Sequence, residues 1–137
     1  GEGEERMNIP KDCRYTKEHE WVRVEGDAVR IGITDYAQSA LGDVVSVELP
    51  KAGAKLAAAQ PFGSVEAVKA VSDLFAPVGG EVLEVNAALS DDAQIVNRDP
   101  YGDGWMVRAR MANRADLDAL LSPADYEKLV AGLEGGH

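Results

Sequence analysis

The chain is poor in the residues that usually build a reactive centre. Cys13 is its only cysteine, so no intramolecular disulfide can form, and a reducing compartment fits that composition. His19 and the terminal His137 are the only histidines. A zinc site of the usual kind needs more Cys and His ligands at closer spacing, so no metal is expected. A Cys13–His19 nucleophile pair is formally possible, but nothing in the sequence marks an oxyanion hole or an orienting acid. Long apolar runs are missing, which argues against a transmembrane helix. Cationic side chains are scarce: 14 basic against 24 acidic residues give a net charge of −10. That balance argues against nucleic acid and against anionic membranes, since both are bound through cations. It fits either plain solubility or steering toward positively charged protein partners.

What is present suits one soluble domain. The 137 residues are 45% hydrophobic and 28% charged, enough for a core without staples. The opening Gly1-Glu2-Gly3-Glu4-Glu5-Arg6 is acidic and lacks an apolar stretch, unlike a secretory signal. Residues 1–6 are read as a cloning remnant or disordered leader, and residues 7–137 as a single domain.

The middle of the chain reads as β. His19–Val24 and Ala28–Ile33 form a hairpin across Glu25-Gly26-Asp27, with Val29, Ile31 and Ile33 on one face. Thr34-Asp35 signals a helix N-cap, and Gly42-Asp43 stops that helix. Val44–Leu49 is a strand with Val45, Val47 and Leu49 on one face, ended by Pro50. Lys51–Pro61 reads as a loop. Phe62–Ala70 alternates loosely, Val71-Ser72-Asp73 interrupts, and Leu74–Pro77 is extended again. Beyond a bend at Gly79-Gly80, strands follow at Glu81–Asn86 and Trp105–Met111, separated by a polar, turn-rich segment over Asn97–Gly104. Two helices close the chain, one opened by Asn113 and one by Ser122-Pro123. Tyr126, Leu129, Val130 and Leu133 lie on the apolar side of the second, and Gly132, Gly135 and Gly136 fray its end. Roughly seven or eight short strands with turn signals between them indicate a sandwich or barrel. Trp21, Trp105, Phe62 and Phe75 are assigned to its core.

Lys69 lies between two extended segments, near a bend where a partner can reach it. On pattern alone such a lysine is solvated and inert. Its surroundings are more specific. The stretch Gly63–Asn86 closely resembles the lipoylation segment of the glycine cleavage H-protein family. Further motifs agree in order: His19-Glu20-Trp21, Ile31–Asp43, Val47-Glu48-Leu49-Pro50, Asp99-Pro100-Tyr101 and Asp103-Gly104-Trp105-Met106. Biotin carriers usually flank their lysine with methionines, whereas here Val68 and Ala70 stand. Lipoyl domains of 2-oxo acid dehydrogenases usually show Asp-Lys-Ala, and they lack a long helical C-terminus.

The resemblance implies a mainly β fold: a flattened β sandwich-barrel hybrid like lipoyl and biotinyl domains, with a short internal helix and two C-terminal helices. It implies covalent lipoate on Lys69, at a hairpin tip, with Glu66 and Gly80 at the offsets that lipoate-attaching enzymes read. The implied role is a non-catalytic carrier. It would take the aminomethyl group of glycine from a pyridoxal-phosphate glycine decarboxylase (P-protein) to an aminomethyltransferase (T-protein). A dihydrolipoamide dehydrogenase (L-protein) would then reoxidise it. Glu20 and Asp73 are expected to hold the charged amine in a cleft that excludes water. Two positions depart from the family: Tyr36, where histidine is frequent, and Glu18, where a small polar residue is common. A lipoyl relay serving other enzyme complexes is the alternative role, and a β-rich binding module with an inert Lys69 is the third. The expected setting is a monomer in the bacterial cytoplasm, or the mitochondrial matrix for a processed eukaryotic chain.

Overall fold

The computed structural model describes residues 7–135. The expectation for residues 1–6 lies outside that range, as do Gly136 and His137.

Short alternating segments pair as nine antiparallel strands. They are β1 (Cys13–Tyr15), β2 (Glu20–Glu25), β3 (Ala28–Ile33), β4 (Val44–Glu48), β5 (Lys55–Leu56), β6 (Pro61–Ala67), β7 (Val71–Phe75), β8 (Gly80–Val85) and β9 (Val107–Met111). Six form one sheet in the order β1-β2-β3-β9-β8-β5, and three form a second in the order β4-β6-β7. The β2–β3 hairpin forms as its alternation predicts, in register from Glu20↔Ile33 to Glu25↔Ala28. The two sheets form a sandwich, and among the described residues no strand pairing closes them into a barrel.

Helix α1 (Asp35–Leu41) starts where the sequence predicts it. The Thr34 side chain accepts the Ala37 N–H, and Gly42 ends the helix at φ 81°. Two single-turn helices, α2 (Ala88–Asp91) and α3 (Ile95–Arg98), were not foreseen between β8 and β9. A 3-10 helix (Arg114–Ala119) and α4 (Pro123–Gly135) complete the chain. The Ser122 hydroxyl accepts the Asp125 N–H, as an N-cap does.

Apolar side chains collect in three groups. Val22, Val29, Ile31, Val82, Val107 and Ala109 fill the inner face of the larger sheet. Ile33, Val44, Val65, Leu74, Leu89 and Val96 join the smaller sheet to α2 and α3. Cys13, Tyr15, Trp21, Tyr101, Tyr126 and Val130 pack α4 against β1 and β2, with Tyr15 and Tyr126 stacked 4.5 Å apart. Each group removes apolar surface from water and stabilises by roughly 25 cal/mol per Å².

Several sequence expectations change. A β-bulge between Val44 and Ser46 turns the alternation over, so Val44 is buried and Val45 is exposed. Val71-Ser72-Asp73 does not interrupt the strand but belongs to β7, and the bend comes earlier, at residues 68–70. Lys55–Leu56 pairs with β8 inside the segment read as a loop. Of the four aromatics assigned to the core, only Trp21 is fully buried; Phe62, Phe75 and Trp105 are half-buried. The Arg30 guanidinium covers the Trp105 ring at 4.6 Å. Leu133 stands in solvent, because α4 meets the body of the fold chiefly through Tyr126 and Val130. Gly132 lies within α4, and Gly135 is its last residue.

Candidate functional site

The smaller sheet carries Lys69 at its tip. β6 and β7 pair from Pro61↔Phe75 to Glu66↔Val71, and the chain reverses through Val68, Lys69 and Ala70. Two backbone bonds hold the reversal. The Ala67 N–H donates to the Ala70 carbonyl at 2.7 Å, and the Val68 N–H donates to the Asp43 carbonyl at 3.0 Å. The second bond ties the tip to the α1–β4 connection. Lys69 is exposed, and its neighbours Val68 and Val71 are 75% and 69% exposed. The lysine stem runs back over Gly42: a Cβ placed there would stand 3.3 Å from Lys69 Cε. Among the described residues, no carboxylate lies within ion-pair distance of its amine.

Glu66 is brought close to this tip. It sits three residues before Lys69, pairs across with Val71, and accepts a bond from the Ser46 hydroxyl at 3.1 Å. Gly80 is not brought there. It opens β8 in the other sheet, opposite Met111. A Cβ on Gly80 would fall 1.9 Å from the Arg110 carbonyl oxygen, so close strand approach already requires glycine there.

Glu20 and Asp73 are separated by burial. Asp73 is exposed on β7, two residues beyond Val71, where the strand leaves the lysine turn, or roughly 7 Å along the strand. Glu20 is 1% exposed, and both its carboxyl oxygens are occupied. The Thr16 hydroxyl donates to one at 2.5 Å and the Phe75 N–H to the other at 3.2 Å. Burial pushes the Glu20 carboxyl up to about 7, against the lowering effect of those donors. A cleft of about 410 Å³ opens nearby, lined by Thr16, Glu18, Phe75, Pro77, Asp116 and Leu120 among others. Glu20 therefore stands behind the cleft wall, bonded to two residues that form it. The carboxylates on the cleft itself are Glu18 and Asp116, the first of which the sequence had singled out only as a departure.

His19 and Tyr36 form a neighbouring aromatic pair at 4.7 Å. His19 has φ 75°, and its Nδ1 meets the Tyr126 hydroxyl at 2.8 Å, which meets the Thr34 hydroxyl at 2.7 Å. Burial lowers the His19 pKa, with the charge of Glu18 opposing. This geometry leaves no Cys13–His19 pair. The Cys13 thiol points to Asp12, and burial pushes it up to about 12, so it is not a thiolate at neutral pH. Among the described residues, no group of three or more His, Cys, Asp or Glu side chains could hold a metal ion.

Comparison with known proteins decides the family. Residues 13–132 match the sequence model described as "Glycine cleavage H-protein". The chain belongs to the glycine cleavage H-protein family. The "Glycine cleavage system H protein" of Geobacillus kaustophilus is 57% identical over 124 residues, covering 90% of this chain and 98% of that one. Its counterpart in Chlorobaculum tepidum is 58% identical over 126 residues, with the same coverage. A crystal structure of a glycine cleavage system H protein from Mycobacterium marinum superposes with a TM-score of 0.81 at 41% identity, over 93% of this chain and 99% of that one. The H-protein fold is thus shared across nearly the whole chain. No helix among the described residues is long and apolar enough to cross a membrane.

Two residues at the tip went unnoticed in the sequence. Gly42 was read only as a helix stop, and Asn97 only as part of a polar segment. Neither position carries a local signal of its role, because Gly42 meets Lys69, and Asn97 meets Gly42 and Val44, from dozens of residues away.

Proposed function

We propose that Lys69 is the attachment point of a lipoyl arm and that the protein is the lipoyl carrier of the glycine cleavage system. The observation that carries this reading is the placement of Lys69. In a member of the H-protein family, it stands exposed at a hairpin tip between two exposed valines, with its stem on Gly42.

The surroundings fit such a group. The amine is reachable, and amide formation there removes one positive charge with no carboxylate left unpaired among the described residues. When bound, lipoate supplies a disulfide that can be opened by an aminomethyl group and closed again. The chain's own residues orient that chemistry. The β6–β7 hairpin fixes the base of the arm, and Glu66 on the same hairpin gives an attaching enzyme a charge to read. Asp73 lies along β7 between Lys69 and the cleft at Thr16, Glu18 and Phe75. In this reading the cleft shelters the loaded amine from water, with Glu18 and Asp116 on its wall, Asp73 on the strand that leads to it and Glu20 bracing it from behind. Gly80 serves the strand packing that holds the other sheet.

The protein performs no bond chemistry of its own; it presents the arm in turn to a glycine decarboxylase, an aminomethyltransferase and a dihydrolipoamide dehydrogenase. Tethering raises the arm's local concentration at each docked enzyme. The surplus of acidic residues suits transient docking on basic surfaces by a monomer. Its bacterial relatives favour a cytoplasmic setting.

Intact-mass measurement after incubation with a lipoate ligase, ATP and lipoate tests the attachment. One lipoyl increment, mapped to Lys69, is expected; no increment overturns the carrier reading. Glycine-dependent release of carbon dioxide with purified decarboxylase tests the system. A lipoylated protein that fails to support it would be a relay to other complexes instead.

A further inference from the structure

The Asn97 side chain bonds to groups far from its own helix in sequence. From α3 it reaches the α1–β4 connection, and three hydrogen bonds use most of its capacity. Its Nδ2 donates to the Gln38 side-chain oxygen at 3.0 Å and to the Gly42 carbonyl at 2.9 Å. Its Oδ1 accepts the Val44 N–H at 2.9 Å. The two backbone contacts bracket one residue, Asp43. The carbonyl of Asp43 accepts the Val68 N–H, the bond that ties down the lysine turn. Gly42, on the other side, is the surface over which the Lys69 stem lies.

We propose that Asn97 is a positioning residue for the modification of Lys69. It fixes the peptide units on either side of Asp43, and so fixes both supports of the lysine at once: the carbonyl that anchors its turn and the glycine beneath its stem. The proposal rests on the reading of Lys69 as the lipoylated residue. In that modification the Lys69 amine, as the free base, attacks the carboxyl carbon of a lipoyl adenylate. A C–N bond forms, the C–O bond to phosphate breaks, AMP leaves with the electron pair, and the amine proton passes to water. An attacking atom displaced by an ångström loses much of its rate, while the docking surface that sets KM is untouched.

The geometry makes this a local role. β7 is an edge of its sheet, and among the described residues the Ala67–Ala70 and Val68–Asp43 bonds hold the reversal. Val44, whose N–H Asn97 holds, is itself buried beside Val65 and Leu74, so the test must read the turn and the core separately.

The test compares wild-type protein with Asn97→Ala and Asn97→Asp. The second variant keeps an acceptor for the Val44 N–H but loses the two donors. Lipoylation by a purified lipoate ligase with preformed lipoyl adenylate is followed by intact mass, and kcat is separated from KM. Amide hydrogen exchange is read at Val68, with Val29 and Ile31 as core controls. In both variants kcat should fall about tenfold with KM nearly unchanged, and Val68 exchange should rise about tenfold with the core amides still protected. An unchanged kcat overturns the role. So does a loss of kcat that tracks thermal melting or core exchange and recovers at a lower temperature, because that is destabilisation alone. If Asn97→Ala does not fold, Asn97→Asp carries the same readouts. Wild-type protein that takes up no lipoate instead refutes the reading of Lys69 itself, and this role with it.

Discussion

In the six-stranded sheet, Val29, Ile31 and Val107 are wholly buried; at the lysine end of the three-stranded sheet, Val45, Val68 and Val71 are 51%, 75% and 69% exposed. The same residue type serves two ends. In the larger sheet β-branched side chains face an apolar core and supply stability. Around Lys69 they form a smooth, uncharged collar on a narrow hairpin. Anchoring differs too: β3 is flanked by β2 and β9, whereas β7 pairs on one side only. On the proposed function, stability is kept away from the part that other enzymes would handle. A tip made of exposed turn and edge strand can enter a partner's active site without unfolding anything.

The sharpest break of this comparison is Lys69→Arg. It should abolish lipoylation altogether while moving stability by less than about 0.5 kcal/mol, since the side chain is exposed. Intact mass and a thermal melt read the two effects. Ile31→Ala should do the reverse, costing about 2–5 kcal/mol in a denaturant titration and leaving the lipoylation rate of the folded fraction unchanged. Val71→Ala at the collar should cost less than about 0.5 kcal/mol in the same titration.

Gly80→Ala separates packing from recognition. Its new Cβ would meet the Arg110 carbonyl, so the structure should lose about 1–3 kcal/mol. Lipoylation of the folded fraction should keep its kcat and KM. A specific rise in KM in stable protein would instead make Gly80 a residue the attaching enzyme reads.

A further effect concerns pH. The Glu20 carboxyl is raised from 4.5 to about 7 by burial. The folded state therefore holds a proton that the unfolded chain has released between those values, and stability from this group declines as pH rises from about 4.5 to about 7. Glu20→Gln should remove that decline, making the variant more stable than wild type by about 2 kcal/mol at pH 8 relative to pH 5. His19 acts in the opposite sense. Its lowered pKa takes stability away as pH falls through 6.5, so the difference between Glu20→Gln and wild type isolates the carboxyl. Melts at the two pH values check it. A wild-type profile identical in slope to that of the variant would show that Glu20 is not a buried, strained carboxyl.

The parts that were legible in the sequence are those with local causes. The β2–β3 hairpin follows from alternation and a Gly-Asp turn, and α1 follows from Thr34 as its cap. The misreadings are as physical. Val45 was placed on one face with Val47 and Leu49 because alternation assumes a regular ladder, and the bulge at Val44–Ser46 breaks it. Val71, Ser72 and Asp73 carry no inward member, so an exposed edge strand looked like an interruption. Helices of one turn show no periodicity, and α2 and α3 owe their place to tertiary bonds such as those of Asn86 and Asn97.

The sequence by itself determined the family, the sandwich and the lysine between two strands, because strand periodicity, turn residues and the motifs around Lys69 are all written in short stretches. Only the tertiary structure decided what stands around that lysine. It set Glu66 beside the hairpin and Gly80 in the other sheet. It put Glu20 behind a wall that Thr16 and Phe75 form, and it brought Asn97 to the residues that carry the turn. The Glu20–Phe75, Gly80–Met111 and Asn97–Gly42 contacts join residues dozens of positions apart, fixed by how the elements pack, and no local pattern of side chains encodes them.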